Sequence, residues 1–352
     1  MTSLGRDFFP LQAALGGALI GTAVGGYMLL VGRTAGASGA LRALLGGRRS
    51  GHARDPATVG LVAGLVGGGA AMASALPGAF ENPPPSPSPV LAAAGLLVGL
   101  GTSLGNGCTS GHGLCGMSRM ARRSLAATAT FVLAAGATAT LRAGTDLGAA
   151  APVVLALPPE VLHLMPRLAA ALLAGLVPLH PLLLGRTNPA GQAYAGLWAG
   201  GAFASGLALG GMVRPSAVLG ALSPARFDGT LWVLFGTALA TTFALYRAAE
   251  RAGWEGARAP GPPFSHPVPA PGVPRVDAPL VAGAALFGMG WGLGGVCPGP
   301  HLTTLGARPG APGPWVMLLA AAAGMSLAPA VERWIRKMAE AAAGGRREDR
   351  GD

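Results

Sequence analysis

Gly99-Leu-Gly-Thr-Ser-Leu-Gly-Asn-Gly-Cys108-Thr-Ser-Gly-His112-Gly-Leu-Cys115-Gly116 interrupts an apolar run with a dense set of glycines. An ordinary membrane helix would carry leucine or valine there. The stretch holds two of the three cysteines, and its skeleton recurs. Gly288–Pro300, GMGWGLGGVCPGP, repeats the pattern G-x-G-x-x-L-G-x-x-C. Gly99, Gly101, Leu104, Gly105 and Cys108 match Gly288, Gly290, Leu293, Gly294 and Cys297 at identical spacing. Glycine is abundant, so the leucine and cysteine matches carry the argument.

The flanking composition says what kind of chain contains the pair. Of 352 residues, 51% are hydrophobic and only 11% charged, against about a quarter charged in soluble domains. Apolar blocks of about 17–22 residues alternate with short polar connectors, the pattern of membrane spans. The fold class expected is an all-α integral membrane protein. Nine spans are expected, at Leu11–Val31, Ala57–Leu76, Val90–Gly105, Leu125–Leu141, Leu168–Leu184, Ala193–Met212, Leu231–Tyr246, Leu280–Gly295 and Trp315–Val331. The third and eighth are short, glycine-broken and carry the cysteine motif. Such broken segments in matching positions of two halves point to a transporter's central site.

The net charge of +11 does not indicate nucleic acid, because the arginines sit in connectors with few aromatics among them. Their placement gives an orientation. With the N-terminus outside, the inner connectors collect Arg33, Arg42, Arg48, Arg49 and Arg54, then Arg119, Arg122 and Arg123, then Arg186, then Arg247, Arg251, Arg258 and Arg275. The tail adds Arg333, Arg336, Lys337, Arg346, Arg347 and Arg350, so most of the 25 Lys and Arg lie inside. The C-terminus is then cytoplasmic. Span one starts near Gly16-Gly17-Ala18 and span six near Gly200-Gly201-Ala202. An odd offset of spans predicts inverted repeats, with the cysteine loops approaching from opposite leaflets. The expected organisation is a first membrane repeat over 1–160, a second over 161–335 with a proline-rich internal linker at 255–275, and a charged tail over 336–352.

In a broken helix, glycines let successive N–H groups cradle an anion, and a helix terminus adds partial positive charge. Gly107, Cys108, Thr109, Ser110, Gly111 and His112 fit that picture on one side, and Gly295, Cys297, Pro298 and Gly299 on the other. Thiols are soft, weak donors. A ligand suited to both soft sulfur and N–H donors is a sulfur-containing oxyanion. Close helix packing is the competing use of the same glycines. Arg119, Arg122 and Arg123 either attract an anion to the inner mouth or simply fix topology. Asp7, Asp55, Glu81 and Glu160 all fall in connectors, which argues against a carrier coupled through an intramembrane carboxylate.

Gly107-Cys-Thr-Ser-Gly-His-Gly-Leu-Cys-Gly116, followed by Ser118-Arg119 and Arg123-Ser124, resembles the signature of the YeeE/YedE-type sulfur-transport family. Gly32-Arg33 with Gly36-x-Ser38-Gly39, Gly211-Met-Val-Arg-Pro215 and Gly290-Trp-Gly-Leu293 with Cys297-Pro-Gly-Pro300 extend the resemblance. It covers Gly16 to about Pro300 and is similar to two half-length members fused into one chain. It implies an hourglass fold with two inverted loops at a waist. Thiosulfate would pass between Cys108 and Cys297 by thiol hydrogen bonds without being consumed, so no enzymatic activity and no cofactor is implied. A soluble cytoplasmic sulfur-carrier protein is the implied partner besides the anion and the bilayer of the cell (inner or plasma) membrane. Thiosulfate-transporting members carry a further cysteine just after a Gly-Arg pair; here Gly32-Arg33 is followed by Thr34-Ala35-Gly36. Cys115 belongs to the signature without an assigned role.

Two other readings compete. A membrane sulfurtransferase would form a cysteine persulfide and needs a thiolate of lowered pKa. A soft-metal site would use Cys108, His112 and Cys115, but C-x3-H-x2-C is no standard zinc spacing, so no metal is assigned.

Overall fold

The computed structural model describes residues 10–45, 55–81, 86–145, 188–224, 227–251 and 276–348. The first half contains α1 (Pro10–Val31), α2 (Ala37–Leu45), α3 (Pro56–Ala75), α4 (Ser88–Leu104), the π-helical α5 (Thr109–Gly116) and α6 (Arg122–Ala143). The second half contains α7 (Pro189–Leu209), α8 (Pro215–Leu222), α9 (Thr230–Arg251), α10 (Ala278–Gly294), α11 (Pro298–Ala307) and α12 (Pro312–Glu348). Each half reads long, short, long, long, short, long. No strand occurs among the described residues, and the chain is an all-α membrane protein.

Local chemistry explains many of the boundaries. Asp55, Asn188 and Asp277 cap α3, α7 and α10 with side-chain oxygens on backbone N–H groups, each followed by proline in the first turn. In both halves the first long helix stops at a glycine with φ of 78°, Gly32 after α1 and Gly211 after α7, where a left-handed residue ends a helix at least cost. The short helix of each half follows.

Helices α1 to α6 correspond in order to α7 to α12, and exchanging the two sets maps most of the packing onto itself. α3 lies on α7 as α9 lies on α1, α4 on α12 as α10 on α6, and α2 on α4 as α8 on α10; α1·α7 and α4·α10 are their own counterparts. Every extensive long-helix contact joins one half to the other. Glycine makes these crossings possible. A methyl at Gly60 or Gly64 would overlap α7 backbone, and one at Gly196 or Gly200 would overlap α3. Motif glycines do the same work: Gly99 abuts Ala321 of α12 and its counterpart Gly288 abuts Phe131 of α6, while Gly101 meets Phe287 and Gly290 meets Ala94. These four are packing glycines, as small residues at membrane helix interfaces usually are.

Seven of the nine expected spans coincide with described helices to within about five residues at each end; Trp315–Val331 lies inside the much longer α12, and Leu168–Leu184 lies outside the described residues. By length and apolarity, six described helical segments suffice to cross a bilayer, or seven if α4 and α5, bent by 44°, form one span. α7 is not among those six. It is rich in Gly and Ala and largely buried against α1 and α3, so packing rather than lipid-facing hydropathy holds it. The short helices α2, α5, α8 and α11 were not expected as elements. α12 continues to Glu348 through the residues expected as a separate tail, and the linker at 255–275 lies outside the described residues, as does the expected repeat boundary at 160.

The packing yields a stability test. Gly288→Val forces a side chain into the Phe131 backbone and is expected to cost about 1–3 kcal/mol or more, lowering the thermal unfolding midpoint of the detergent-solubilised protein. Gly67→Ala, where nothing lies within 4 Å of an added methyl, is expected to leave it unchanged or raise it.

Candidate functional site

The two cysteine loops are built alike. After α4 the chain turns at Asn106 (φ 56°), and after α10 at Gly295 (φ 68°). Each left-handed residue stands two positions before a cysteine. Cys108 and Cys297 are both extended, and each is the N-cap of the next short helix, α5 or α11, without a side-chain hydrogen bond to the helix N-terminus. Two helix starts, with their unpaired N–H groups and partial positive charge, therefore begin at the thiols.

The loops meet. Thr109 Oγ1 lies 3.5 Å from Cys297 Sγ, and Ser110 Oγ lies 3.3 Å from Cys108 Sγ. Ser110 Oγ also accepts the Ala37 N–H of α2 at 3.3 Å. Two adjacent hydroxyls thus connect the two thiols, which are 1% and 2% exposed. All three cysteines are free thiols. Beside them a small apolar cavity of about 20 Å³ is lined by Thr109, Ser110, Cys297, Gly299 and Pro300 together with Met212 and Phe235. That is roughly the room one water needs.

His112 braces its loop. Its backbone N–H donates to the Cys108 carbonyl. The ring Nε2 lies 3.0 Å from the Gly105 carbonyl, and Nδ1 3.0 Å from Ser124 Oγ. A carbonyl only accepts, so Nε2 carries the proton and the Ser124 hydroxyl donates to Nδ1. Gly107 is glycine because a methyl there would lie 2.6 Å from the imidazole. The second loop has the same brace. His301 follows Cys297 by the same four residues, its N–H donates to the Cys297 carbonyl, and its Nε2 donates to the Pro314 carbonyl at 2.8 Å. Sequence reading passed over His301. The signal was present as C-x3-H in both motifs.

Cys115 stands apart from this junction. It is buried in α5, near Tyr246 of α9 and the Ala35 backbone. Arg119 folds back onto the Cys115 carbonyl at 3.0 Å, and Arg123 pairs with Asp277 at 3.0 Å. Neither they nor Arg122 line the large cavity against the Asn106–Gly107 turn that precedes Cys108. That vestibule, about 470 Å³, is lined by Arg33, Arg42, Ser38, Thr34, Asn106, Gly107 and Gly111 among others. Arg42 donates to Asn106 Oδ1 at 2.7 Å, so it is tied to the turn that precedes Cys108. Arg33 pairs with Asp55 at 2.6 Å. Burial pushes the Asp55 carboxyl up, but two Thr58 hydrogen bonds and Arg33 outweigh it and hold the group below the usual carboxylate range. Gly295, with its left-handed φ, and Pro298, the first residue of α11, shape the second loop. No cluster of three His, Cys, Asp or Glu able to hold a metal occurs among the described residues, and both ring nitrogens of His112 are already engaged.

The family model described as sulphur transport matches residues 9–138, and a family of unknown function (DUF6691) matches 192–340. A probable transporter of Xylella fastidiosa strain Temecula1 is 42% identical over 127 residues, which is 36% of this chain and 90% of that protein. A probable transporter of strain 9a5c is 43% identical over 128 residues, with the same shares covered. The chain belongs to the sulphur-transport family. No solved structure matches it. As a member of this family the chain is a multi-pass membrane protein that transports sulfur compounds, and its two halves are consistent with a fusion of two half-length members.

The braces give a stability prediction. His112→Ala leaves the Gly105 carbonyl and the Ser124 hydroxyl without partners, and His301→Ala orphans the Pro314 carbonyl. Each buried group left unpaired costs about 1–3 kcal/mol. Both variants are expected to unfold at lower temperature than the parent protein.

Proposed function

We propose that this sulphur-transport protein takes up thiosulfate, or a closely related reduced-sulfur anion, along a path through the Cys108–Cys297 junction. The observation that carries this reading is the pair of thiols capping two short helices that meet through Thr109 and Ser110. An anion there meets weak S–H donors suited to a polarisable sulfur atom, plus hydroxyls and helix-start N–H groups suited to oxyanion oxygens. Nothing is cleaved in such a passage, so the reading is of a transporter and not an enzyme. Arg33 and Arg42 supply positive potential in the vestibule beside Cys108. The thiols are few and the contacts weak, which suits passage: a site must be favourable to enter and easy to leave.

The arginine distribution supports a cell-membrane orientation with the N-terminus outside and the C-terminus cytoplasmic. The vestibule then opens inward, where a soluble sulfur carrier would receive the cargo. The exchange of helices between halves supports a repeat pair at 1–160 and 161–335, inverted about an axis in the membrane plane.

Purified protein in proteoliposomes tests the reading with labelled thiosulfate. Cys108→Ser and Cys297→Ser are each expected to reduce uptake at least about tenfold; full uptake in both variants would sink the thiol pathway. Arg42→Gln is expected to slow uptake at low ionic strength and much less at high salt, since salt screens a vestibule charge. A persulfide found on either cysteine after thiosulfate exposure would favour the sulfurtransferase reading instead.

A further inference from the structure

The vestibule of about 470 Å³ is bordered by the start of α2: Thr34, Gly36, Ser38 and Gly39 all line it. Three features set this wall apart from ordinary packing. Ser38 is only 3% exposed, yet its hydroxyl has no hydrogen-bond partner among the described residues. Its Oγ is not among the unpartnered polar atoms that the protein closes off, so it faces the cavity that the residue lines. Buried hydroxyls are seldom left unmatched. The backbone N–H groups of Ser38 and Gly39 also lack partners among the described residues. The neighbouring donors are engaged, Ala37 N–H by Ser110 Oγ and Ala40 N–H by the Gly36 carbonyl, which leaves these two as the orphan donors of a helix start. Finally, a methyl added at Gly36, Gly39 or Gly111 would meet nothing within 4 Å. Gly60, Gly64, Gly99 and Gly288 are held as glycine by a neighbouring backbone; these three instead border open space in the vestibule.

The same space is positive. Arg42 donates to neutral groups, Asn106 Oδ1 at 2.7 Å and the Ser103 carbonyl at 3.4 Å, and forms no ion pair among the described residues. Arg33 pairs with Asp55 through Nη1. No acidic side chain is among the described residues that line the cavity. Gly111 brings the start of α5 to the same space, and the Ala37 N–H bond to Ser110 Oγ ties the two helix starts together. Both starts carry partial positive charge.

We propose that the starts of α2 and α5 form a holding site for sulfur oxyanions in the vestibule, where Ser38 Oγ and the Ser38 and Gly39 N–H groups take the anion's oxygens and Arg42 and Arg33 supply the counter-charge. The inference rests on the reading that the cargo is a sulfur oxyanion. A hydroxyl, helix-start N–H groups and guanidiniums are the donors that recognise sulfate-like oxygens. No cysteine or methionine lines the cavity among the described residues, so nothing at this site favours a sulfane sulfur. It therefore takes sulfate and thiosulfate alike. Selection for sulfur falls to Cys108 and Cys297, and capture of charge falls to α2. Ser110 connects the two stages, since its hydroxyl accepts the Ala37 N–H and lies 3.3 Å from Cys108 Sγ. The vestibule is far roomier than the 20 Å³ cavity at the thiols, so a held anion keeps part of its water. Such a loose hold suits a station that the cargo must leave again.

The test uses the full-length protein in lipid nanodiscs, with labelled thiosulfate bound alone and in competition with sulfate, and with uptake into proteoliposomes followed in parallel. Sulfate is expected to displace thiosulfate with an affinity within about threefold of thiosulfate's own, less than the worth of one charged hydrogen bond. Ser38→Ala is expected to weaken both anions about tenfold or more, through loss of one hydrogen bond to a charged group. Gly39→Ala places a methyl in the site without touching protein. It is expected to weaken binding at least about fivefold, while the thermal unfolding midpoint stays or rises, so it decides the matter even if Ser38→Ala fails to fold. The double variant Cys108→Ser, Cys297→Ser is expected to lose uptake and keep binding. No measurable binding, sulfate that fails to compete, binding unchanged in Gly39→Ala, or binding lost with the two thiols overturns the inference. Binding of the expected pattern without uptake by the parent protein would support the site and sink the transport reading. Thiol-dependent uptake with binding indifferent to Ser38 and Gly39 removes this inference alone.

Discussion

A membrane interior offers no water to backbone N–H and C=O groups, so every break in a helix must be repaired by protein. That constraint governs the two cysteine loops. At Asn106–Cys108 and Gly295–Cys297 the helical ladder stops, and the repair is the same on both sides: a left-handed residue turns the chain, the cysteine carbonyl accepts the N–H of the histidine four residues on, and the imidazole ties the loop to a carbonyl. The thiols therefore stand where backbone polarity is least quenched. The exposed helix starts at the two cysteines and the structural cost of the breaks arise from the same interrupted helices.

The surroundings of the two loops differ although the halves are built alike. The cavity against the Asn106–Gly107 turn is large and carries Arg33 and Arg42, whereas the cavity beside Val296 is small and carries Glu81. In the first half the left-handed position is Asn106, whose side chain binds Arg42, whereas its counterpart Gly295 has no side chain to bind anything. One substitution in a repeated turn thus attaches a vestibule charge to one cysteine loop and leaves the other bare.

The spans were legible because their apolar length is a one-dimensional signal, and the cysteines because their spacing repeats. The short helices were not legible: at eight to ten residues they are below the length at which periodicity separates from noise, and two of them begin in proline. The glycine motif was read as a possible anion cradle, and its outer glycines proved to be helix-crossing contacts whose partners lie far along the chain. His301 lies beyond the shared G-x-G-x-x-L-G-x-x-C skeleton, so only the C-x3-H spacing common to both loops signals it. In the sequence Arg42 reads only as a topology charge, and Arg33 as a topology charge and part of the Gly32-Arg33 signature, since only the fold brings α2 against the Cys108 turn. Glu81 was assigned to a connector, correctly, but a connector can fold back onto a helix start in the other half, here Ser216 of α8.

Because the long helices of each half pack chiefly on those of the other, the order of synthesis matters. Helices α1 to α6 enter the membrane before any of their main partners has been made. They must wait there, glycine faces uncovered, until α7 to α12 are threaded between them. A single polypeptide fixes the ratio and proximity of the two halves at birth.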